Sequence, residues 1–446
     1  FSCDIKLEKR GAIKVEEKKA LVLCGGGARG GYHIGVWKAL KEIGYVPSII
    51  TGTSVGALNG ALLTIKEDDL AEEIWQNMSM ETVFNKKEKM DINAIKSPAE
   101  FLLQIGEVGG IDPVPLKKLV NKLADEKKFR QSDIDFGLVV TAVKPMRMVT
   151  KFVDQMEEGK IADYILASSA CFPIMKMYEI NGENYVDGGY SDNIPFELAL
   201  QRGAKEMVIV DMPGMFKLKK VEDINAKVHY IFPKHDLGNF IIFNKETANR
   251  DIVLGYLDTM KVFDKLEGNN YTFKLGSNNE AIKYSEKIKS MYKKIFTNLP
   301  SIGTLERIAT NKVVNHIKKY NEDIFENESD VLNALEMAAE GYGIDFTKIY
   351  DFAELAENVV QKYRETIKKE EYKRILSLSK ILETVKNINE LRELIRKYDS
   401  QNLIAYLVYL LTIQEITQMQ KNQILAITMI KPEYLCSAAF IAGYIK

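Results

Sequence analysis

The rhythm of apolar positions divides the chain. From residue 19 to about residue 266, short apolar runs alternate with stretches of helical spacing. The runs at 20–24, 49–51, 136–143, 207–211 and 228–232 read as strands. Alternation of this kind predicts an α/β fold, with a central, mostly parallel sheet and helices on its faces. Within it, Leu58, Ala61, Leu62 and Ile65 recur at helical spacing and predict a helix from Val55 to about Ile65. Residues 66–111 read as helices and loops inserted after that helix. Gly109-Gly110-Ile111-Asp112 marks a break, and Pro113 with Pro115 starts the next helix. After residue 267 the strand signals fade. Lys/Glu-rich amphipathic runs follow at 280–297, 329–341, 352–376 and 388–397, with a more apolar run at 403–419 that is expected to be buried. The expected organisation is a polar lead-in at 1–18, an α/β domain at 19–266 and a helical accessory region at 267–446.

Two glycine-rich turns stand directly behind apolar strands. The first is Gly25-Gly26-Gly27-Ala28-Arg29-Gly30, behind the strand at 20–24, and the second is Gly52-Thr53-Ser54-Val55-Gly56, behind the strand at 49–51. In G-x-S-x-G, a serine sits on a sharp strand-to-helix turn, with its hydroxyl clear of the sheet. Glycines flank it because a Cβ at those positions would clash across the turn. Ser54 is therefore the candidate nucleophile, near the positive end of the helix that follows. Pentapeptides of this form also occur with no such role. The first turn has three readings. It matches the G-x-G-x-x-G dinucleotide pattern, but that motif wants an acid at the end of the second strand, where this chain has Gly-Thr-Ser. It is also readable as a bare turn. The reading that suits Ser54 on the next strand is an oxyanion hole, in which consecutive backbone N–H groups with no side chains in the way point at one developing charge. Gly26, Gly27 and Ala28 are then the expected donors. Arg29 adds positive charge that orients the loop or meets an anionic head group.

A nucleophilic serine needs a base. The four histidines, His33, His229, His235 and His316, do not advertise one. His33 lies one turn into a helix, His229 inside an apolar strand, His235 in a loop and His316 on a charged helix. A carboxylate is the better candidate. Asn184-Tyr185-Val186-Asp187-Gly188-Gly189 is a short strand ending in an acid and two glycines, so Asp187 can be held tightly beside another loop. Asp-Gly is also an ordinary hairpin turn.

Gly-Gly-Gly-Ala-Arg-Gly, Gly-Thr-Ser-Val-Gly and Asp-Gly-Gly, in this order and spacing, resemble the patatin-like phospholipase family. Ala167-Ser168-Ser169-Ala170-Cys171-Phe172-Pro173 and Asp192-Asn193-Ile194-Pro195 resemble it too, and the likeness covers roughly residues 18–263. It implies a three-layer sandwich and a Ser–Asp dyad with no catalytic histidine. Ser54 would be the nucleophile and Asp187 its base, with the loop Gly25 to Gly30 as oxyanion hole and Gly52, Gly56, Gly188 and Gly189 as supporting motif positions. The implied activity is lipid acyl hydrolysis of the phospholipase A or lysophospholipase type. A soluble-substrate esterase or thioesterase, or a catalytically silent lipid-binding protein, stays open. Some members carry an acid where this chain has Cys24, read here as a small apolar filler. Asp192 is a rival base, but its place beside a helix start favours capping.

Composition narrows the partners. Lys+Arg 61 against Asp+Glu 62 gives net −1, and 46% of residues are hydrophobic. Bulk charge thus argues neither for nucleic acid nor for strong membrane attraction. Cys3, Cys24, Cys171 and Cys436 are scattered without metal spacing, so neither a disulfide framework, a metal nor a cofactor is expected. No stretch reaches the roughly 18 apolar residues of a membrane span. A lipid or phospholipid substrate is expected, at a peripheral membrane surface or in the cytoplasm, and a removed export signal stays open because the chain begins at Phe1. The region 267–446 reads as a packing or oligomerisation domain, or as a lid with a lipid-facing surface.

Overall fold

A computed structural model describes residues 17–85, 110–213, 225–296, 328–375 and 388–446. Most of the expected lead-in, much of the 66–111 insertion, Cys3 and His316 lie outside these residues. The chain divides into two compact units between Val262 and Phe263.

The first unit is built on one eight-stranded sheet. Its strands are β1 (Lys19–Leu23), β2 (Ile49–Thr53), β3 (Asp135–Val143), β4 (Met146–Phe152), β5 (Tyr178–Ile180), β6 (Glu183–Asp187), β7 (Glu206–Val210) and β8 (Lys227–Ile231). Along the sheet the order is β5-β6-β3-β2-β1-β7-β8, with β4 paired to β3. From β3 to β8 the strands run parallel, while β4, β5 and β6 join antiparallel. Helices cover the sheet: α1 (Gly31–Ile43), α2 (Val55–Thr64), α3 (Asp68–Gln76), α4 (Met80–Val83), α5 (Val114–Leu123), α6 (Glu126–Gln131), α7 (Ile161–Ser168), α8 (Phe196–Gln201) and α9 (Lys245–Val262). The central strand β1 is continuously apolar because it is covered on both faces, and Ala20 to Leu23 have no exposed surface. The expected strands fall within two residues of the observed ends. β4 gives no comparable signal: its first three residues are exposed, so its sequence does not read as a buried run.

One edge of β3 carries two neighbours. Its first half pairs parallel with β2, ending with Thr53 opposite Val139. Its second half pairs antiparallel with β6, whose Asp187 is opposite Val140. The other edge is filled by β4 from Gly137 to Val143. β2 and β6 therefore run toward each other along the same edge, and their last residues face consecutive positions of β3.

The second unit is mainly helical, with a core that includes Leu335, Phe352, Leu407 and Phe440. Thr272–Phe273 pairs in parallel with Ile349–Tyr350, a small sheet in a region expected to be all helix. Of the run at 403–419, expected to be buried, Leu403 to Leu411 are buried except for Tyr409, and Met419 is exposed. Ser400–Thr412 ends at Ile413, which is extended, and Thr417 caps a new helix, Gln418–Ile430, by accepting from the Gln420 N–H. Among the described residues, no helix is long and apolar enough to cross a membrane.

Candidate active site

The turn between β2 and α2 holds Ser54 with φ 57° and ψ −125°. That backbone suits glycine, so a serine there is strained by about 1–3 kcal/mol and must be held. Several buried hydroxyls hold it. The Ser54 N–H donates to Ser168 Oγ at 3.0 Å, and Ser168 donates in turn to the Val139 carbonyl at 2.7 Å. Thr51 and Thr53 of β2 donate to the carbonyls of Pro195 and Asp192, each at 2.9 Å. These bonds tie the serine turn to the segment after Asp187. Gly56, in the first turn of α2, sits against β1: a Cβ there would be 2.2 Å from the Leu23 carbonyl oxygen.

The glycine loop leaves β1 beside this turn. The Gly25 N–H donates to the Asn193 carbonyl at 3.2 Å, and the Asn193 amide returns a bond to the Gly25 carbonyl at 3.4 Å. Gly27 has φ 57°, and a Cβ on it would lie 2.2 Å from the Phe240 carbonyl oxygen, so only glycine fits. The Ala28 N–H donates to that same carbonyl at 2.8 Å, and those of Arg29 and Gly30 close the turn on Gly26 and Gly27 at 3.3 Å. Ala28 is thus occupied, contrary to its expected role as a donor, and so are Gly25, Arg29 and Gly30. Among the described residues, the N–H groups of Gly26 and Gly27 have no partner within this loop. The Arg29 guanidinium donates to the Gly238 carbonyl, at 2.9 Å from Nε and 2.6 Å from Nη2, and also to the Pro213 carbonyl. It orients the loop, one of its two expected roles.

Asp187 ends β6 and is 1% exposed. Its own N–H donates to the Ala170 carbonyl at 2.9 Å. Oδ1 accepts from the Gly189 N–H at 2.8 Å, while Oδ2 is buried with no hydrogen-bond partner. Burial raises this carboxyl to about 7, although the nearby Ser54 hydroxyl and the Gly189 N–H favour its ionised form. Asp192, the rival, sits in the turn before α8: its Oδ1 accepts from the Ile194 N–H at 3.2 Å, and Pro195 is the N-cap of α8.

Ser54, Asp187 and Gly25 to Gly27 line one cavity. Its remaining wall is overwhelmingly apolar and includes Leu58, Trp75, Leu119, Phe129, Ile165 and Phe240. Among the described residues, no histidine lines it. His33 is fully buried beside Cys24 and Asn59, and burial lowers its pKa to about 3. His229 lies on β8 with Nε2 2.8 Å from Glu206. Cys24 is buried, its Sγ accepts from the Met212 N–H at 3.1 Å, and burial pushes the thiol far up, which makes it inert. Among the described residues, no group of three or more His, Cys, Asp or Glu is placed to hold a metal ion.

Sequence reasoning did not single out Thr51, Thr53, Thr141 or Asn59. Thr141 donates to the Asp187 carbonyl at 3.0 Å. Asn59, on α2, donates to the Gly30 carbonyl at 2.9 Å and accepts from Trp75 at 2.8 Å. A polar residue inside an apolar run is the only local sign of such roles, and it does not reveal the partner.

Residues 21–200 match the model of the patatin-like phospholipase family. Patatin-like phospholipase domain-containing protein 6 of Mus musculus is 28% identical over 196 residues, which is 43% of this chain and 13% of that protein. Lysophospholipase NTE1 of Candida albicans is 27% identical over 204 residues, 45% of this chain and 13% of that protein. The chain thus spans about 13% of the length of the curated relatives it matches. A crystal structure of VipD from Legionella pneumophila aligns over 95% of this chain and 92% of that one, at 14% identity and a TM-score of 0.38. The fold is a layered α/β sandwich on a mostly parallel sheet. Its residues 21–200 are similar to a patatin-like phospholipase domain.

Proposed function

We propose that this chain is a lipid acyl hydrolase that cleaves carboxylic esters through an acyl-enzyme on Ser54, with Asp187 as the general base. The observation that carries the reading is the meeting of β2 and β6: a strained serine and a buried, half-partnered carboxyl line one apolar cavity. Asp187 takes the Ser54 proton as the hydroxyl oxygen attacks the ester carbonyl. The free N–H groups of Gly26 and Gly27 receive the developing oxyanion, helped by the positive end of α2. The proton passes from Asp187 to the departing alcohol or lysophospholipid. Water then attacks the acyl-enzyme, Asp187 taking its proton and returning it to Ser54 Oγ as the bond to the acyl group breaks and the fatty acid leaves. A base poised near 7 suits both steps at neutral pH. Lipid as the substrate class is supported by the apolar wall and by relatives named as phospholipase-domain proteins and lysophospholipases.

The test is hydrolysis of a short-chain nitrophenyl ester and of mixed phospholipid vesicles, without added metal, by wild type, Ser54→Ala and Asp187→Asn. Each substitution should lower kcat by roughly a thousandfold or more, and the losses should not add in the double variant, because the two groups act as one unit. Full activity in Ser54→Ala would refute the assignment. Cleavage of the soluble ester with intact phospholipid would make it a soluble-substrate esterase instead.

A further inference from the structure

The cavity that Ser54 lines runs along α2. Leu58, Ala61, Leu62 and Ile65 line it in turn. At 1.5 Å per residue, Ile65 lies about 16 Å along the helix axis from Ser54. Leu58 and Leu62 stay only partly buried on a helix whose other apolar residues are buried, because they face this space. Phe129 of α6 lines the same cavity and is 3% exposed. Its ring centroid is 6.0 Å from that of Phe136. Phe136 sits opposite Ile50, near the start of β2 and so remote from Ser54. Ser132, just after α6, donates to the Thr64 carbonyl at 2.8 Å, which ties this segment to the last turn of α2. Phe129 and Ile65 are therefore together at the end of the cavity away from the nucleophile.

We propose that this space is an acyl sleeve of fixed depth, with Phe129 as its floor, and that it selects esters by the length of their acyl chain. The inference rests on Ser54 being the nucleophile. With C–C bonds of about 1.5 Å zigzagging at tetrahedral angles, a length of about 16 Å takes roughly a dozen carbons. Each methylene that enters the sleeve raises kcat/KM by up to about fourfold, and the gain stops at the floor. Length is thus read at Phe129, far from the chemistry.

The experiment measures kcat/KM for monomeric nitrophenyl butanoate, octanoate, dodecanoate and hexadecanoate, using the full chain as wild type, Phe129→Ala, Ala61→Phe and Ser54→Ala. Wild type should peak at dodecanoate. Phe129→Ala should move the peak to hexadecanoate. Ala61→Phe fills space that already exists midway along the sleeve, so it keeps the test valid even if Phe129→Ala folds poorly. It should lower the dodecanoate-to-butanoate ratio by about tenfold or more. Retained activity in Ser54→Ala would remove the nucleophile and the sleeve with it. Activity lost in Ser54→Ala, with one shared chain-length peak in the other three proteins, would overturn the sleeve alone.

Discussion

Replacing Asp187 by Asn should abolish activity and, above neutral pH, stabilise the first unit. The wild-type carboxyl is 1% exposed, Oδ2 has no partner, and burial raises it from an ordinary 3.8 to about 7. Between those two values the folded protein holds a proton that the unfolded chain has released. Folding therefore favours the neutral acid, and its stabilising contribution is fully present below about pH 4. It is lost as pH rises to about 7, and beyond that the folded state carries the whole penalty of a buried carboxylate. At about 1.36 kcal/mol per pH unit, the penalty reaches at most about 4 kcal/mol. An amide of the same shape does not titrate and escapes it. Wild type and Asp187→Asn should thus be nearly equal in stability at about pH 4, and the variant should lead by up to about 4 kcal/mol at about pH 8.5. Urea unfolding followed by tryptophan fluorescence reads this directly. The chain's two tryptophans, Trp37 and Trp75, both lie in the first unit, and Trp75 lines the cavity. The same carboxyl predicts a wild-type kcat/KM that rises with pH through about 7, since only the carboxylate accepts the Ser54 proton. A stability gap that stayed flat with pH, or opened in favour of wild type, would refute this account of Asp187. It would mean that the carboxylate is already compensated in the folded protein.

Ser54 at φ 57° makes a second prediction: Ser54→Gly should be more stable than Ser54→Ala by about 1–2 kcal/mol, both being inactive, as thermal or urea unfolding would measure. Equal stabilities would mean that the turn relaxes in the variants. Ser168→Ala removes the acceptor of the Ser54 N–H in a fully buried position. It should cost about 1–3 kcal/mol, and it should lower kcat on a short ester more than it raises KM, because it loosens the nucleophile rather than the acyl wall.

Local residues carry the strands and turns well. Continuous apolar runs announce β1, β2, β3, β7 and β8, and glycines mark where the chain reverses over a strand end. What they do not carry is register and partnership. Ala28 looks as free as Gly26 and Gly27 until Phe240 folds back to accept its N–H. Arg29 reads as a charge for the loop or for a head group, and nothing local names its carbonyl partners at Gly238 and Pro213. Thr51 and Thr53 look like ordinary strand residues, although each bonds the segment that follows Asp187. Their partners lie far downstream, and only the assembled sheet brings them into reach.

The juxtaposition of Ser54 and Asp187 is the clearest case. Each ends a readable strand, yet nothing local says that one strand runs parallel and the other antiparallel along the same edge of β3. That mixed edge makes two carboxyl-terminal ends converge, which two parallel neighbours of one edge do not do. It also explains how the proposed mechanism can work without histidine. An imidazole titrates near neutrality without help, whereas an exposed aspartate is far too weak a base. Here the apolar cavity supplies the difference: by excluding water from Oδ2, it lifts Asp187 to about 7. The wall that would hold the acyl chain is thus the same wall that makes the base strong enough. A polar substitution in that wall near Asp187 would weaken acyl binding and lower the base's pKa together.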